Sequence, residues 1–247
     1  METAPDQKTY ALFSTMENRE LAGKLEQKGA KVFRFAPAAI HRVTSKENSE
    51  IIKNNLRLFD WIIFPDVFAV DCFLQILEES EVDLFELDAV QILACGEAVA
   101  DRLRFVQIHA DVIPHTIEKQ TVFSTLLDYL GKEILAKSKI LMPKATHFVP
   151  EFKDDLISSG AEITEIPVYQ AQIDDKNKPA NLKALIKGGA VDEFIFGSPE
   201  DLLSLKYYFS TEDLFEILRD IKTSGTNERA IQALRENDLH PKVFQIK

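Results

Sequence analysis

The feature of this sequence that most constrains its fold is the alternation of short apolar runs with segments of helical periodicity. The run Trp61–Phe64, for example, precedes a segment whose apolar residues recur three or four positions apart as far as Leu77. Such alternation is typical of βαβ units, in which helices cover a mostly parallel sheet. We therefore predict an α/β fold with parallel sheets. The predicted strands are residues 10–14, 31–35, 61–64, 90–94, 110–113, 139–142, 162–168 (running on towards 172), 193–196, 221–223 and 242–246.

Two polar stretches and an internal similarity predict how these units are divided into domains. Residues 41–50 and 173–179 interrupt the alternation and are predicted to be extended connectors. Residues 63–66 and 195–198 each leave a strand and enter a helix, and their separation of about 130 residues is far too long for a solenoid. We predict two similar α/β domains, one inserted into the other. The predicted boundaries are 1–36 plus 174–247 for the outer domain, 50–163 for the inserted domain, and 37–49 and 164–173 for the connectors.

Charge and apolar content exclude several classes of protein. The 247 residues include 40 acidic and 29 basic side chains, which gives a formal charge of −11 and disfavours nucleic acid as a partner. No apolar run approaches the roughly 18 residues of a membrane span, so we expect no membrane association. The first residues lack the basic start and apolar stretch of a signal peptide, and the chain has only two cysteines. We expect a cytoplasmic protein.

The turns that follow the predicted strands are the candidate ligand-binding segments. Parallel sheets bind ligands at the carboxyl ends of their strands, where helix N-termini expose N–H groups. Helix capping by Asp66, Ser198 and Thr226 explains the same turns without a ligand. Because such turns occur on both predicted domains, we predict a binding cleft between the domains. The four turns are Phe64-Pro65-Asp66, Cys95-Gly96-Glu97, Phe196-Gly197-Ser198-Pro199 and Ser224-Gly225-Thr226.

Other kinds of site receive little support from the sequence. The five histidines are scattered without the spacing of metal ligands, and there is no glycine-rich phosphate motif or Ser/His/Asp order. Cys95 precedes Gly96 at a predicted helix start, but a small residue buried at a strand end explains it more simply than a nucleophile does. We predict no metal site.

Four segments of the chain resemble the uroporphyrinogen-III synthase family, and together they cover nearly the whole sequence. Their order and spacing carry the resemblance, since no single motif is very specific. The segments are Phe59-Asp60-Trp61-Ile62-Ile63-Phe64 with Val70, Phe73 and Leu74; residues 96–114 without gaps; Pro143-Lys144 with Leu156, Gly160-Ala161-Glu162 and Pro167-Val168-Tyr169-Gln170; and Val191-Asp192 with Phe196-Gly197-Ser198-Pro199.

The resemblance implies an architecture and a reaction. Two α/β domains would be linked by a two-stranded ladder, here residues 32–43 with 163–173. The substrate would be hydroxymethylbilane, which carries eight carboxylates, and no cofactor would be needed. In the family's reaction ring A loses its hydroxyl, the substituted carbon of ring D attacks the azafulvene, and a spiro intermediate reopens and recloses with ring D inverted. The resemblance also implies haem biosynthesis, transfer of substrate from hydroxymethylbilane synthase, and a monomer.

The resemblance also assigns roles to individual residues. Tyr169 matches the tyrosine of a Val-Tyr pair and would be the general acid for the leaving hydroxyl, because a phenol with a pKa near 10 stays protonated at neutral pH. The alternative is a ladder tyrosine that only packs its ring. Lys144 would pair with a substrate carboxylate, or else be a solvated loop lysine. The remaining predicted substrate-binding residues are Gly96, Gly197, Ser198, Pro199, Gly225, Thr226 and Asn227.

The chain departs from the family pattern at several strand-end turns. Asp66, Glu97 and Glu200 are predicted to lie at helix N-termini where substrate carboxylates would bind, and each would repel an anion by about 1 kcal/mol. The departures are Pro65-Asp66 for Thr-Ser, Glu97 for Pro, Val99 for Thr, Gly197-Ser198 for Thr-Ser, Gly225-Thr226-Asn227-Glu228 for Gly-Pro-Thr-Thr, and Ser14-Thr15 where an arginine is expected.

Two functions from different classes follow from this comparison. The chain is a divergent working synthase, or it is a non-catalytic member of the fold that binds a small ligand or a partner. Acidic caps Asp66 and Glu97 that face the predicted cleft would favour the second hypothesis. A third hypothesis is a two-domain receptor for another small ligand, since fold does not determine function.

Overall fold

The structure, a computed structural model, describes residues 8–114, 119–150, 152–173, 178–209 and 214–245. The strands are β1 Thr9–Phe13, β2 Lys31–Phe35, β3 Ala39–Arg42, β4 Trp61–Phe64, β5 Gln91–Ala94, β6 Lys139–Ala145, β7 Glu162–Gln172, β8 Glu193–Phe196, β9 Lys222–Gly225 and β10 Lys242–Val243. The helices are α1 Met16–Gln27, α2 Lys46–Asn55, α3 Val67–Glu79, α4 Glu97–Phe105, α5 Lys119–Leu130, α6 Lys132–Leu135, α7 Lys153–Ser158, α8 Lys178–Lys187, α9 Pro199–Phe209, α10 Leu214–Leu218 and α11 Glu228–Arg235. The chain divides into two compact units, Met1–Ala39 with Gln172–Lys247, and Ile40–Ala171.

The first unit contains a five-stranded sheet in the order β10-β9-β8-β1-β2, and all of its strand pairs are parallel. Strand β8 lies in the middle of this sheet and is buried along its whole length. Its alternate side chains enter different apolar clusters, with Phe194 and Phe196 in one and Ile195 in the other. Helices cover both faces of such a sheet, so a central strand reads as a continuous apolar run.

The second unit contains a five-stranded sheet in the order β3-β7-β6-β4-β5. The pairs β4–β5, β4–β6 and β6–β7 are parallel. Trp61 and Ile63 of β4 pack with Leu93, Ile140 and Met142 in one buried cluster. Two mainly parallel sheets flanked by helices confirm the predicted α/β class. No helix among the described residues is long and apolar enough to cross a membrane.

The predicted strand at residues 110–113 is wrong, although this segment runs beside β5. Only one bridge forms there, between Leu93 and Val112. The amide of Ile92 donates to the side-chain carboxylate of Asp111 at 2.7 Å. A side chain thus takes a place that a main-chain carbonyl would hold in a regular ladder, and Pro114 follows directly.

The prediction of an extended connector at residues 41–50 is also wrong, because helix α2 begins inside it. Ser45 caps this helix by accepting a hydrogen bond from the amide of Asn48 at 3.0 Å. The Asn48 side chain in turn donates to the carbonyl of Pro167 at 2.8 Å, and Ile52 is fully buried. Capping and one buried face stabilise a helix whose overall composition is polar.

The predicted ladder is shorter than the resemblance implied. Residues 32–35 belong to β2 and pair with β1 in the first unit. Of residues 32–43, the strand that lies beside β7 is β3, and the amide of Val43 donates to the carbonyl of Val168 at 2.9 Å.

Candidate functional site

A cavity of about 260 Å³ lies in the first unit where three helices begin. Thr15 caps α1, Pro199 is the first residue of α9, and Asn227 caps α11. These helices follow β1, β8 and β9, which are neighbours in the sheet, so their N-termini meet at its carboxyl edge. The cavity is lined by Thr15, Gly197, Ser198, Pro199, Glu200, Asn227 and Arg229.

A buried hydrogen-bond network holds the β8–α9 turn on one side of this cavity. Asp201 accepts hydrogen bonds through Oδ2 from the amide of Gly197 and from the side chain of Asn18, each at 2.7 Å. Asn18 also donates to the carbonyl of Phe13 at 3.1 Å, which ties the end of β1 to the same network. Asn18 and Asp201 are both fully buried. Side chains of α1 and α9 therefore hold this turn in place.

Asn227, the capping residue of α11, also holds the turn between β8 and α9. Its Oδ1 accepts from the amide of Ala230 at 2.9 Å, while its Nδ2 donates to the carbonyl of Gly197 at 2.7 Å. The prediction that Thr226 caps this helix is wrong, since Asn227 is the capping residue and Thr226 is exposed. Because an amide has both an oxygen and an NH₂ group, Asn227 can accept from the helix and donate to the neighbouring turn at once.

Among the described side chains that line the cavity, those of Arg229 and Glu200 are charged. Arg229 lies in the first turn of α11 and Glu200 in the first turn of α9. The helix N-termini add partial positive charge, whereas Glu200 opposes it. Sequence reasoning missed Arg229, although its position two residues after the capping Asn227 is the signal that could have found it. The cavity suits a small anionic group.

In the second unit, Tyr169 and Asp66 form a hydrogen-bonded pair. The Tyr169 hydroxyl donates to Asp66 Oδ2 at 2.7 Å, and Asp66 Oδ1 accepts from the amide of Ala69 at 2.8 Å. Asp66 thus caps α3, as predicted. The Tyr169 side chain is fully buried, and its ring meets Phe68 edge-on with 5.9 Å between centroids.

Lys144 lies in β6 rather than in a loop, and it is buried. Its ammonium group is 3.3 Å from Glu165 and donates to the carbonyl of Phe148. Lys153 binds the other oxygen of Glu165 at 2.5 Å. Burial by itself would raise the pKa of Glu165, but the hydrogen bond from Lys153 and the charge of Lys144 outweigh it and lower that pKa. The alternative of a solvated loop lysine is wrong.

Gly96 and Glu97 lie where β5 leads into α4. Gly96 has a φ of 101°, a conformation that favours glycine, and it is the N-cap of α4. Glu97, the first residue of this helix, lies 3.4 Å from Arg104. Cys95 is buried in the apolar cluster of the second unit, which confirms the structural interpretation of this cysteine.

The structure brings four of the predicted binding residues together at the cavity of the first unit, and these are Gly197, Ser198, Pro199 and Asn227. Gly225 and Thr226 lie directly before Asn227 in the chain, while Gly96, Lys144 and Tyr169 belong to the second unit. Within the described ranges, no three His, Cys, Asp or Glu side chains are arranged to hold a metal ion. A substrate role for each of these residues stays a prediction.

Comparison with protein-family models identifies the ancestry of this fold. The model described as uroporphyrinogen-III synthase HemD matches residues 19–245. The chain belongs to the uroporphyrinogen-III synthase family. The resemblance seen in the sequence is therefore confirmed at the level of the family.

Solved structures of the family share the fold of this chain. A wild-type crystal structure of uroporphyrinogen III synthase from Thermus thermophilus is 18% identical in sequence, covers 96% of this chain and 91% of its own, and has a TM-score of 0.65. A second Thermus thermophilus uroporphyrinogen III synthase structure is 18% identical, covers 95% and 92%, and has a TM-score of 0.64. At this identity the likeness establishes the two-domain α/β fold.

Proposed function

We propose that this chain cyclises hydroxymethylbilane to uroporphyrinogen III with inversion of ring D and loss of water. Family membership over residues 19–245 supports the reaction class. The observation that carries the proposal is the cavity of the first unit, because four predicted substrate-binding residues line it beside an arginine. A tetrapyrrole with eight carboxylates offers that cavity a suitable anionic group.

The cavity would bind one carboxylate through main-chain N–H groups of helices α9 and α11 and through Arg229. Helix N-termini carry partial positive charge and favour anions by roughly 0.3–1 kcal/mol each at exposed sites. Arg229 is exposed and can reach a ligand at low cost in desolvation. Glu200, which also lines the cavity, would limit the affinity and exclude a second carboxylate from the same space.

Tyr169 would supply the proton that the reaction requires. The proton passes from its hydroxyl to the hydroxyl of the substrate, the carbon–oxygen bond breaks with its electron pair on oxygen, and water leaves. The phenolate regains a proton when the carbon that closes the ring loses its hydrogen. Tyr169 is buried, and a desolvated site strengthens such a transfer once substrate excludes water. We include in the proposal a cofactor-independent, monomeric, cytoplasmic enzyme that receives its substrate from hydroxymethylbilane synthase.

A second candidate function is a non-catalytic binding module of the same fold. Three contacts favour it: the Tyr169 hydroxyl is bonded to Asp66, Lys144 is paired with Glu165, and Glu200 lines the cavity. Each of these acidic groups competes with a substrate carboxylate or holds the group that would act on the substrate.

Product analysis separates the two functions. Purified protein is mixed with freshly prepared hydroxymethylbilane, and the type I and type III isomers are separated by chromatography after oxidation. The synthase proposal requires type III product, whereas type I alone, which forms without enzyme, would leave only the binding module.

The Tyr169→Phe variant tests the acid. We expect it to slow type III formation by about 10²-fold, the lower end of what a positioned acid contributes. Tyr208→Phe is the matched control, because Tyr208 is also buried and its hydroxyl donates to the carbonyl of Ala36 at 2.7 Å. Equal rates in the Tyr169→Phe and wild-type proteins would remove Tyr169 from the role.

A further inference from the structure

We propose that Asp66 is a positioning residue that holds the proton of Tyr169 and thereby weakens it as an acid. This inference rests on the proposed function, since it concerns the strength of the acid in that reaction. Asp66 and Tyr169 are 103 residues apart in the chain and meet at the carboxyl ends of β4 and β7. The contact is a property of this chain's own Asp66.

The geometry divides the two oxygens of Asp66 between two donors. Oδ1 accepts from the amide of Ala69 in the first turn of α3, and this bond together with the helix dipole stabilises the carboxylate in its charged form. Oδ2 accepts from the Tyr169 hydroxyl at 2.7 Å. A hydrogen bond from a neutral donor to a carboxylate is roughly twice as strong as one between neutral groups. Because Oδ1 caps the helix, the carboxylate is oriented so that Oδ2 accepts from the Tyr169 hydroxyl.

Proton transfer from Tyr169 to the substrate would place a phenolate beside the Asp66 carboxylate. Two like charges at hydrogen-bond distance disfavour each other, so the product of the transfer is destabilised. The charge of Asp66 acts in a partly dry environment. Burial, followed by the charges of Asp71 and Asp66 and opposed by Arg42, raises the pKa of the nearby Cys72 thiol to about 11. Asp66 thus makes Tyr169 a weaker acid, and Tyr169 is the group that would protonate the leaving hydroxyl.

Replacing Asp66 by asparagine reverses the direction of this hydrogen bond. The single oxygen of the amide is needed to cap α3, so the amide nitrogen takes the place of Oδ2 and donates to the phenol oxygen. A donor at this position stabilises the developing phenolate instead of opposing it. We expect Asp66→Asn to raise kcat for type III formation by about tenfold, the factor that a tenfold stronger acid gives at full proton transfer.

The same substitution is made in the Tyr169→Phe protein, which distinguishes action through Tyr169 from direct repulsion of the substrate. If Asp66 acts through Tyr169, the gain in kcat disappears in the double variant. If Asp66 only repelled the substrate, Asp66→Asn would instead lower KM at unchanged kcat. That decrease in KM would also be seen in the Tyr169→Phe protein. Asp83→Asn is the matched control, because Asp83 caps a 3₁₀ helix of the same unit by accepting from the amide of Phe85 at 3.1 Å. We expect it to leave kcat unchanged.

A spectroscopic measurement tests the contact without relying on activity. In protein labelled with ¹³C at tyrosine Cζ, the Tyr169 resonance is assigned by its loss in Tyr169→Phe. We expect it to move in Asp66→Asn and to stay in Asp83→Asn at the same pH. An unmoved resonance, or a kcat that falls or stays the same in Asp66→Asn, overturns the inference. Absence of type III product from both wild-type and Asp66→Asn proteins overturns the proposed function instead, whatever the resonance does.

Discussion

Gly197→Ala should destabilise the first unit through one identifiable collision. A Cβ atom at residue 197 would lie 2.2 Å from Asn18 Oδ1 and 2.9 Å from its Cγ. Folded proteins do not tolerate such distances, so the Asn18 side chain would have to move. Asn18 is fully buried and held by hydrogen bonds to Asp201 at 2.7 Å and to the carbonyl of Phe13 at 3.1 Å. Relief of the collision therefore costs both bonds.

The magnitude follows from those two bonds. A buried hydrogen bond to a charged group contributes about 1.5–3 kcal/mol and one between neutral groups about 1 kcal/mol. We expect Gly197→Ala to lower the free energy of unfolding by about 2.5–4 kcal/mol, measured by urea denaturation. Gly23→Ala is the control, because Gly23 lies inside α1 with no atom within 4 Å of its added Cβ. That variant should gain roughly 0.5–1 kcal/mol from the better helix propensity of alanine.

A double-mutant cycle provides the decisive test. Asn18→Ala removes the amide that the new methyl group would strike, so the double variant should cost less than the sum of the single variants. We expect a coupling free energy of about 1–3 kcal/mol, which lies within the range for residues in direct contact. Single-variant costs that add to within about 0.5 kcal/mol would refute the collision as the cause.

Two further predictions concern charges at the two sites. Arg229→Ala should raise the steady-state KM for hydroxymethylbilane about two- to fivefold, because an exposed guanidinium near one carboxylate contributes less than about 1 kcal/mol. Arg235→Ala is the control, and it should leave KM unchanged. Arg235 lies on the same helix, with its Nη1 3.4 Å from Glu228 Oε1. Lys153→Met should lower the free energy of unfolding at pH 7 by about 1 kcal/mol. The pKa of Glu165 is lowered in the folded protein, so its stabilising effect is present above the ordinary value of 4.5 and is lost as pH falls. The difference between wild type and Lys153→Met in urea denaturation should therefore shrink at pH 3, and a constant difference would contradict the ion pair as its source.

Local sequence signals predicted the interior strands well, and the errors lie where other groups compete with the backbone. The bounds of β4 and β8, which are interior strands of their sheets, agree with the predicted strands, because mainly apolar runs mark strands covered on both faces. Residues 110–113 do not form a regular strand, because the Asp111 side chain accepts the hydrogen bond from the amide of Ile92. Helix α2 was missed because its polar composition hides the contribution of one buried face.

The candidate site shows the same division between local and distant information. Asp66 was correctly predicted to cap α3, since a cap depends on residues three positions apart. Its bond to Tyr169 was not predicted, because it joins residues 103 positions apart. The meeting of Asn18 with Asp201, 183 positions apart, was equally hidden in the sequence.

The sequence by itself determined the α/β class, the interior strands and the family, because burial periodicity and motif order are properties of neighbouring residues. Only the tertiary structure decided which side chains meet at the strand ends. Strand order in a parallel sheet is set by the packing of whole βαβ units, and it brings Thr15, Gly197 and Asn227 to one cavity. The same kind of packing brings the Tyr169 hydroxyl into hydrogen-bond contact with Asp66, and no local sequence pattern specifies that contact.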